Sequence, residues 1–419
     1  MEQTEKIGGV AVVGAGPAGM LAAIRAAEAG ADVTVFERNP KVGRKLAISG
    51  KGRCNVTNDC APAEVLSHVL RGEKFLYSSV FRFPPSAVKE FFEDAGVPLK
   101  TERGNRVFPV SDRAYDVVDA LLRRMREAGV TLRTSARVDS VSRRDDNTFA
   151  VAVNGEKKLF RAVIVATGGV SYPLTGSTGD GHRFARENGI GVTPLLPSLV
   201  PVETAEDFSP LAGLTLKNVR LDVTAPGGKT VFSQTGEMLF AHFGVTGPLV
   251  LSASANMRDH PAGEYKMAVD LKPAVKFEEL DARLTKILRD GAAKDLLNAV
   301  RGILPAALLP YVIGIAGADG RAKAGNVSAA VRGALCRAIK EFPVTPVRFR
   351  PIDEAIVTAG GVSTKELDPK TLESRAVPGL YFAGEVIDAD AYTGGFNLQI
   401  AFATGSAAGK AAGAALPTK

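Results

Sequence analysis

The chain has 419 residues, 45% of them hydrophobic, with 52 Lys+Arg against 45 Asp+Glu and a formal net charge of +7. That length allows two or three domains with apolar cores; no segment nears the roughly 20 uninterrupted apolar residues of a membrane span, and residues 1–9 are polar without a signal-peptide core, so a soluble cytoplasmic protein is expected. The positive balance suits a polyanionic partner, although a basic surface with no partner is the commoner outcome.

Cys54, Cys60 and Cys336 are odd in number and lack C-x-x-C spacing, and the four histidines are dispersed. Neither a disulfide framework nor a metal site is expected.

In chain order, the apolar run Val10–Val13 reads as a strand buried on both faces, and Gly14-Ala-Gly16-Pro17-Ala18-Gly19 follows directly. In GxGxxG the first glycine permits the sharp turn, the second lets a pyrophosphate approach the backbone, and the third brings helix and strand together. An Ala- and Leu-rich helix to Ala29, a stop at Gly30 and a second strand at 33–36 complete the unit. Glu37 closes that strand, 18 residues beyond Gly19, where an acid can accept hydrogen bonds from an adenosine ribose. Arg38 follows at once, so the choice between FAD and NAD has to be read elsewhere.

Residues 38–58 (RNPKVGRKLAISGKGRCNVTN) carry six basic side chains and no acid, and read as a basic loop folded over a cofactor diphosphate or simply solvated. Gly50-Lys51-Gly52 is not a phosphate-binding Walker loop, because no Ser or Thr follows the lysine. Two helices are expected within 86–129, separated by a short hairpin or loop, then a strand and an antiparallel meander with an Asn154-Gly155 turn over 130–165. That segment ends on Ala166-Thr167-Gly168-Gly169. From about Pro194 short β-like runs rich in Pro and Gly predict a β-rich insertion, and 276–341 reads as helical, with 11 Lys+Arg against 7 Asp+Glu. Near Arg350 the first texture returns, with FAGEVID at 382–388 and TGGFNLQ at 393–399 opening a long Ala-rich helix.

Three separated glycine motifs therefore need one explanation. In a doubly wound sheet, ligands lie beyond the carboxyl ends of the strands, so distant strand ends converge on one crevice. Ala166, Thr167 and Gly168 end one strand; Gly384 and Glu385 end another, where an acid can bind a ribityl chain. The N-terminus of the last helix, at Gly395, offers N–H groups to a flavin's N1–C2=O edge. Together these favour a tightly held FAD over a diffusible NAD.

The motifs KLAISGKGRCNVTN (45–58), LFAHFGVTGPLVLSAS (239–254), IVTAGGVSTKELDPKTLESR (356–375) and GLYFAGEVIDADAYTGGFNLQIAFATG (379–405) resemble the BaiN/RdsA family of NAD(P)/FAD-dependent oxidoreductases, within the larger glutathione-reductase-like flavoprotein group. The resemblance spans nearly the whole chain. It implies an α/β fold in which a Rossmann-like FAD-binding domain, a doubly wound parallel sheet plus antiparallel meander (1–193 and 342–419), is interrupted by a β-rich domain (194–275) and a helical sub-domain (276–341). It extends the cofactor site to Arg44, Lys45, Ser49 and Gly50, to Val138, and to Asn397, Leu398 and Gln399. It further implies reduction of a carbonyl-conjugated C=C bond, with hydride from flavin N5 and a transient NAD(P)H donor. The associated substrates are steroid-like enones and a uracil base of 23S ribosomal RNA, reduced to dihydrouridine.

Three residues are candidate proton donors. Cys54 sits beside Lys51 and Arg53, which favour a thiolate, although a lone cysteine is most often a small buried hydrophobe. His242 lies in the AHFGVTGP motif, where a structural histidine is the bland alternative, and Tyr392 precedes the Thr393-Gly394-Gly395 turn, where it can equally just pack. An RNA-reducing monomer is the leading expectation. A small-molecule reductase or oxidase, and a non-catalytic redox-sensing flavoprotein, stand as its alternatives.

Overall fold

The structure, a computed structural model, describes residues 7–416, so the reading of residues 1–6 as free of a signal segment lies outside the described residues. The chain divides into two compact units: Met1–Ser198 with Ala355–Lys419, and Leu199–Glu354.

In the first unit the strands Thr131–Arg133, Val33–Phe36, Ile7–Val13 and Glu156–Val165 lie side by side in parallel, with the first two following the order expected of a Rossmann half. The long strand Glu156–Val165 has two neighbours on its far side. Its beginning pairs antiparallel with Phe149–Val153, which continues to Val138–Arg143, and its end pairs in parallel with Leu380–Phe382. The register aligns Val13 with both Phe36 and Val165, and Val165 with Phe382. Gly14, Glu37, Ala166 and Ala383, each one residue further on, thus emerge together at one edge of the sheet.

The first helix, Pro17–Glu28, packs closely on the last, Phe396–Ala414. Gly405, Gly409 and Gly413 recur every four residues and so form one stripe along the last helix. A Cβ on them would come within 2.4, 2.2 and 2.6 Å of the carbonyl oxygens of Ala18, Ala22 and Ala26. Only hydrogen at these positions allows the two backbones to meet.

The basic segment is not a plain loop. Arg44–Gly52 is helical, since Arg44 to Ile48 are good or tolerated helix formers and Leu46 is buried as an anchor. Ser49, Gly50 and Lys51 break it, the last two with φ of 56° and 59°. The expected hairpin appears as Leu99–Glu102 with Arg106–Pro109.

The second unit is one seven-stranded antiparallel sheet, in the order Phe342–Val344, Lys266–Asp270, Thr215–Thr224, Thr230–Ala241, Gly244–Thr246, Val202–Thr204, Pro346–Phe349. Helices Phe277–Asp290 and Ala329–Lys340 share a single apolar core with those strands. The β-rich and helical stretches, expected as two bodies, therefore form one unit. Its end also lies later than 342, because Phe342, Val344 and Pro346 turn inward on short strands that complete the inserted sheet. Leu196–Ser198 pairs with Val357–Ala359 in the first unit, where the chain leaves it and returns.

Candidate functional site

The carboxyl edge of the parallel sheet gathers the glycine turns. At the first, Gly19 is fixed by close approach: a Cβ there would stand 1.9 Å from the Gly14 carbonyl oxygen. At Gly16 a Cβ would meet nothing within 4 Å, so the backbone faces open space above the helix N-terminus. Pro17 opens that helix, Ala18 and Gly19 are buried in its first turn, and no side chain caps it. An uncapped helix N-terminus with an unobstructed approach is a ready anion site, and these residues fit a dinucleotide diphosphate.

Glu37 braces this turn. Its Oε2 accepts from Ala15 N at 2.9 Å, and its Oε1 accepts from Asn39 N and Nδ2 at 2.9 and 2.8 Å. Arg44 donates to Asn39 Oδ1 at 2.9 Å, linking the basic helix to the same group. The neighbouring Arg38 donates to Asp180 Oδ2 at 2.9 Å and to the Thr178 hydroxyl. Val138 is buried just beyond Ala136, whose N–H donates to the Glu37 carbonyl at 2.9 Å. Glu37, Arg38, Arg44 and Val138 are thus brought to one end of the crevice.

At the second turn, Ala166 N donates to Val13 O at 2.8 Å. The Thr167 hydroxyl is buried with no hydrogen-bond partner among the described residues, and Gly168 adopts φ 73°. Gly384 and Glu385 lie at the third turn, and here the structure adds what the sequence did not show. Lys45 Nζ donates to both oxygens of Glu385, at 2.9 and 2.7 Å, and to Ser171 Oγ at 2.7 Å. Ser171 Oγ and Thr358 N also reach Glu385 Oε1, at 3.0 and 2.9 Å. Burial alone would raise the Glu385 pKa, but the Lys45 ammonium and these hydrogen bonds outweigh it and hold the carboxyl below its ordinary range. Glu385 is therefore an anion locked to Lys45.

The last helix starts at Gly395, with φ 100° and no side-chain cap. Two of the residues expected to bind cofactor here turn their side chains to protein instead. Asn397 accepts from Ala391 N at 2.9 Å and donates to Ala391 O at 2.7 Å. Gln399, fully buried, accepts from Thr57 Oγ1 and donates to Phe83 O, both at 2.7 Å. These bonds set the approach to the helix N-terminus, while Leu398 packs half-buried against the core. Ser49 and Gly50 form the break in the basic helix, where Ser49 Oγ donates to Leu46 O at 2.7 Å.

The structure corrects the reading of Cys54. With φ 61° the residue turns inward and is fully buried, and desolvation pushes its thiol pKa up to about 12 against a smaller opposing hydrogen bond from Ser49. The charges of Lys51 and Arg53 do not reach it; Arg53 is spent on Glu102 and Asp112. No reactive thiolate forms there. Tyr392 is half-buried, with its N–H on His68 O at 3.0 Å and its ring edge-on to His68. His68 itself stacks on Phe396 at 4.2 Å, the first residue of the last helix, an arrangement the sequence did not signal. His242 belongs to the second unit, exposed at the turn after Thr230–Ala241. Among the described residues there is no His, Cys or carboxylate cluster able to hold a metal, and no helix is long and apolar enough to cross a membrane.

Comparison with known proteins agrees with this architecture. The profile of the HI0933-like protein Rossmann domain matches residues 9–411. The 3-dehydro-bile acid delta(4,6)-reductase of Clostridium scindens is 32% identical over 413 residues, covering 96% of this chain and 98% of that protein. The ribosomal RNA dihydrouridine synthase of Escherichia coli is 31% identical over 397 residues, covering 94% and 95%. A similar fold is found in the 3-ketosteroid-delta4-(5alpha)-dehydrogenase of Rhodococcus jostii RHA1, at a TM-score of 0.55 and 17% identity, covering 99% of this chain and 98% of that one. With a profile matched almost end to end and two full-length relatives named as a reductase and a synthase, the chain belongs to the HI0933-like Rossmann family of FAD-dependent oxidoreductases.

Proposed function

We propose that this protein reduces a C=C bond conjugated to a carbonyl, and that its substrate is a uracil base of 23S ribosomal RNA, which it converts to dihydrouridine in the cytoplasm. The observation that carries the chemistry is the convergence of three glycine turns, at Gly14, Ala166 and Ala383, on one sheet edge. Bound FAD would supply the hydride, drawn in turn from NADPH or NADH. The chain's own residues hold and tune the site. The uncapped turn at Gly16 receives the diphosphate, and Glu37, tied to Ala15 N, fixes that turn. The N-terminus at Gly395 favours negative charge beside it. Tyr392, half-buried just before that N-terminus, delivers the proton to the α carbon.

RNA is favoured over a small enone by the net charge of +7 and by the local excess of Lys and Arg in 276–341. The E. coli relative is named for that substrate. A steroid-like enone is the second reading, favoured by the similarity to the bile acid reductase. The deciding experiment reduces the protein anaerobically with NADPH or NADH and mixes it with ribosomal RNA lacking dihydrouridine or with an enone panel. Reoxidation by the RNA, with a uridine heavier by two hydrogens in its digest, supports the proposal; reoxidation by enones alone refutes the RNA assignment.

A further inference from the structure

A pocket of about 260 Å³ lies between the helix Glu73–Arg82 and the C-terminal half of the last helix, closed on a third side by Lys370 and Thr371. It is distinct from the strand-end crevice. Ser406 on its wall stands 11 residues past Gly395, about 16 Å along the axis at 1.5 Å per residue.

Helical spacing builds its charge. Ser79 and Arg82 are one turn apart on the first helix, Ser406 and Lys410 one turn apart on the other, and Lys370 faces them from the connecting turn. That turn is held by Asp368 Oδ1, which accepts from Lys370 N at 2.7 Å and Thr371 N at 3.1 Å. Arg82, Lys370 and Lys410 thus border one pocket, and among the described residues none of the three is in an ion pair. Ser79 is 1% exposed, and among the described residues its hydroxyl has no hydrogen-bond partner. The rest of the wall is apolar, chiefly Phe83, Ala403 and Ala407.

Arg82, Lys370 and Lys410 are exposed, so water screens most of their mutual repulsion, but together they offer positive charge at the mouth of the cleft, and the buried Ser79 hydroxyl without a partner is costly to keep. A doubly charged group with several acceptor oxygens suits both features, because it pairs with the cations and accepts from Ser79. We propose that this pocket binds a phosphate group, carried by a phosphorylated small molecule or by a nucleic-acid backbone, with the apolar wall against the attached carbon skeleton. The proposal stands whether the reduced substrate is RNA or an enone.

The test uses the FAD-loaded protein, so that the dinucleotide crevice is filled. Calorimetric titration with inorganic phosphate, AMP and a short single-stranded RNA is compared between wild type, Arg82→Ala/Lys410→Ala, Ser79→Ala and the control Lys74→Ala, a lysine of the same helix outside the pocket. Wild type should bind AMP, the double variant about tenfold or more weakly, and the control within about twofold. Ser79→Ala should raise the melting temperature of ligand-free protein while weakening AMP binding, a pairing that a purely structural hydroxyl would not give. Binding of AMP without RNA assigns a small-molecule phosphate; RNA binding with the same variant dependence assigns a backbone phosphate. If none of the three probes binds at millimolar concentration, or if the double variant binds them like wild type, the proposal is overturned.

Discussion

Replacing Lys45 by Met removes the ammonium and keeps most of the side-chain volume, leaving the Glu385 carboxylate with Ser171 and Thr358 N only. Breaking a fully buried pair costs about 3–5 kcal/mol, because one charge stays desolvated. Here the two side chains are 25% and 20% exposed, so water screens part of the loss and about 2 kcal/mol is expected. For a unit of this size that corresponds to a fall in Tm of about 4–8 °C. Glu385 is held below its ordinary range in the folded protein. Its contribution is therefore fully present above the unfolded carboxyl value of about 4.3 and fades as pH falls through the folded value. The gap in Tm between wild type and Lys45→Met should be full at pH 7 and narrow progressively once the pH falls below the unfolded carboxyl value of about 4.3. Adding Glu385→Gln to Lys45→Met should recover part of the loss, since no charge is then stranded. Calorimetric melts of the three proteins across pH check this. A single variant melting within 1 °C of wild type at pH 7, or a double variant no more stable than the single, would refute the locked ion pair.

Gly409→Val puts a branched side chain where a Cβ already stands 2.2 Å from the Ala22 carbonyl oxygen, so the first and last helices must part. A loss of about 3 kcal/mol or more is expected, together with weakened FAD retention, read by denaturant titration and by flavin content. The thiols of Cys54, Cys60 and Cys336 all have pKa values raised by burial, so a thiol reagent at pH 8 should label native protein slowly and unfolded protein at once. Cys54→Ala should keep turnover within about threefold. Tyr392→Phe should leave flavin reduction by the nicotinamide unchanged while slowing substrate reduction by about 10²-fold or more; His242→Ala, measured beside it, should leave both half-reactions near wild type, and the reverse pattern would move the proton-donor role to the histidine.

Much of the cofactor domain was legible because its glycine turns punctuate the chain at the strand ends. Apolar runs ending on Gly14, Ala166 and Ala383 mark strand ends, and the sheet register turns three sequence motifs into one edge. The GxGxxG turn needed no tertiary information. The partners of Glu385 did, since Lys45 lies 340 residues away in the chain and Ser171 214. Cys54 took the alternative of a small buried hydrophobe: its sequence neighbours Lys51 and Arg53 suggested a thiolate, but tertiary packing buries it completely. Asn397 and Gln399 were read as cofactor-binding from the family motif, but a sequence cannot show that their amides are spent on Ala391, Thr57 and Phe83. Past residue 341, strands of three and four residues were too short to show that they still belonged to the inserted sheet.

The central claim, a single FAD held where distant turns meet, is tested most directly by the visible absorption spectrum of the purified protein, before and after FAD is added and then under anaerobic NADPH or NADH. The account predicts flavin bands near one FAD per chain that bleach with one of the two donors. Protein that stays colourless after reconstitution would contradict it.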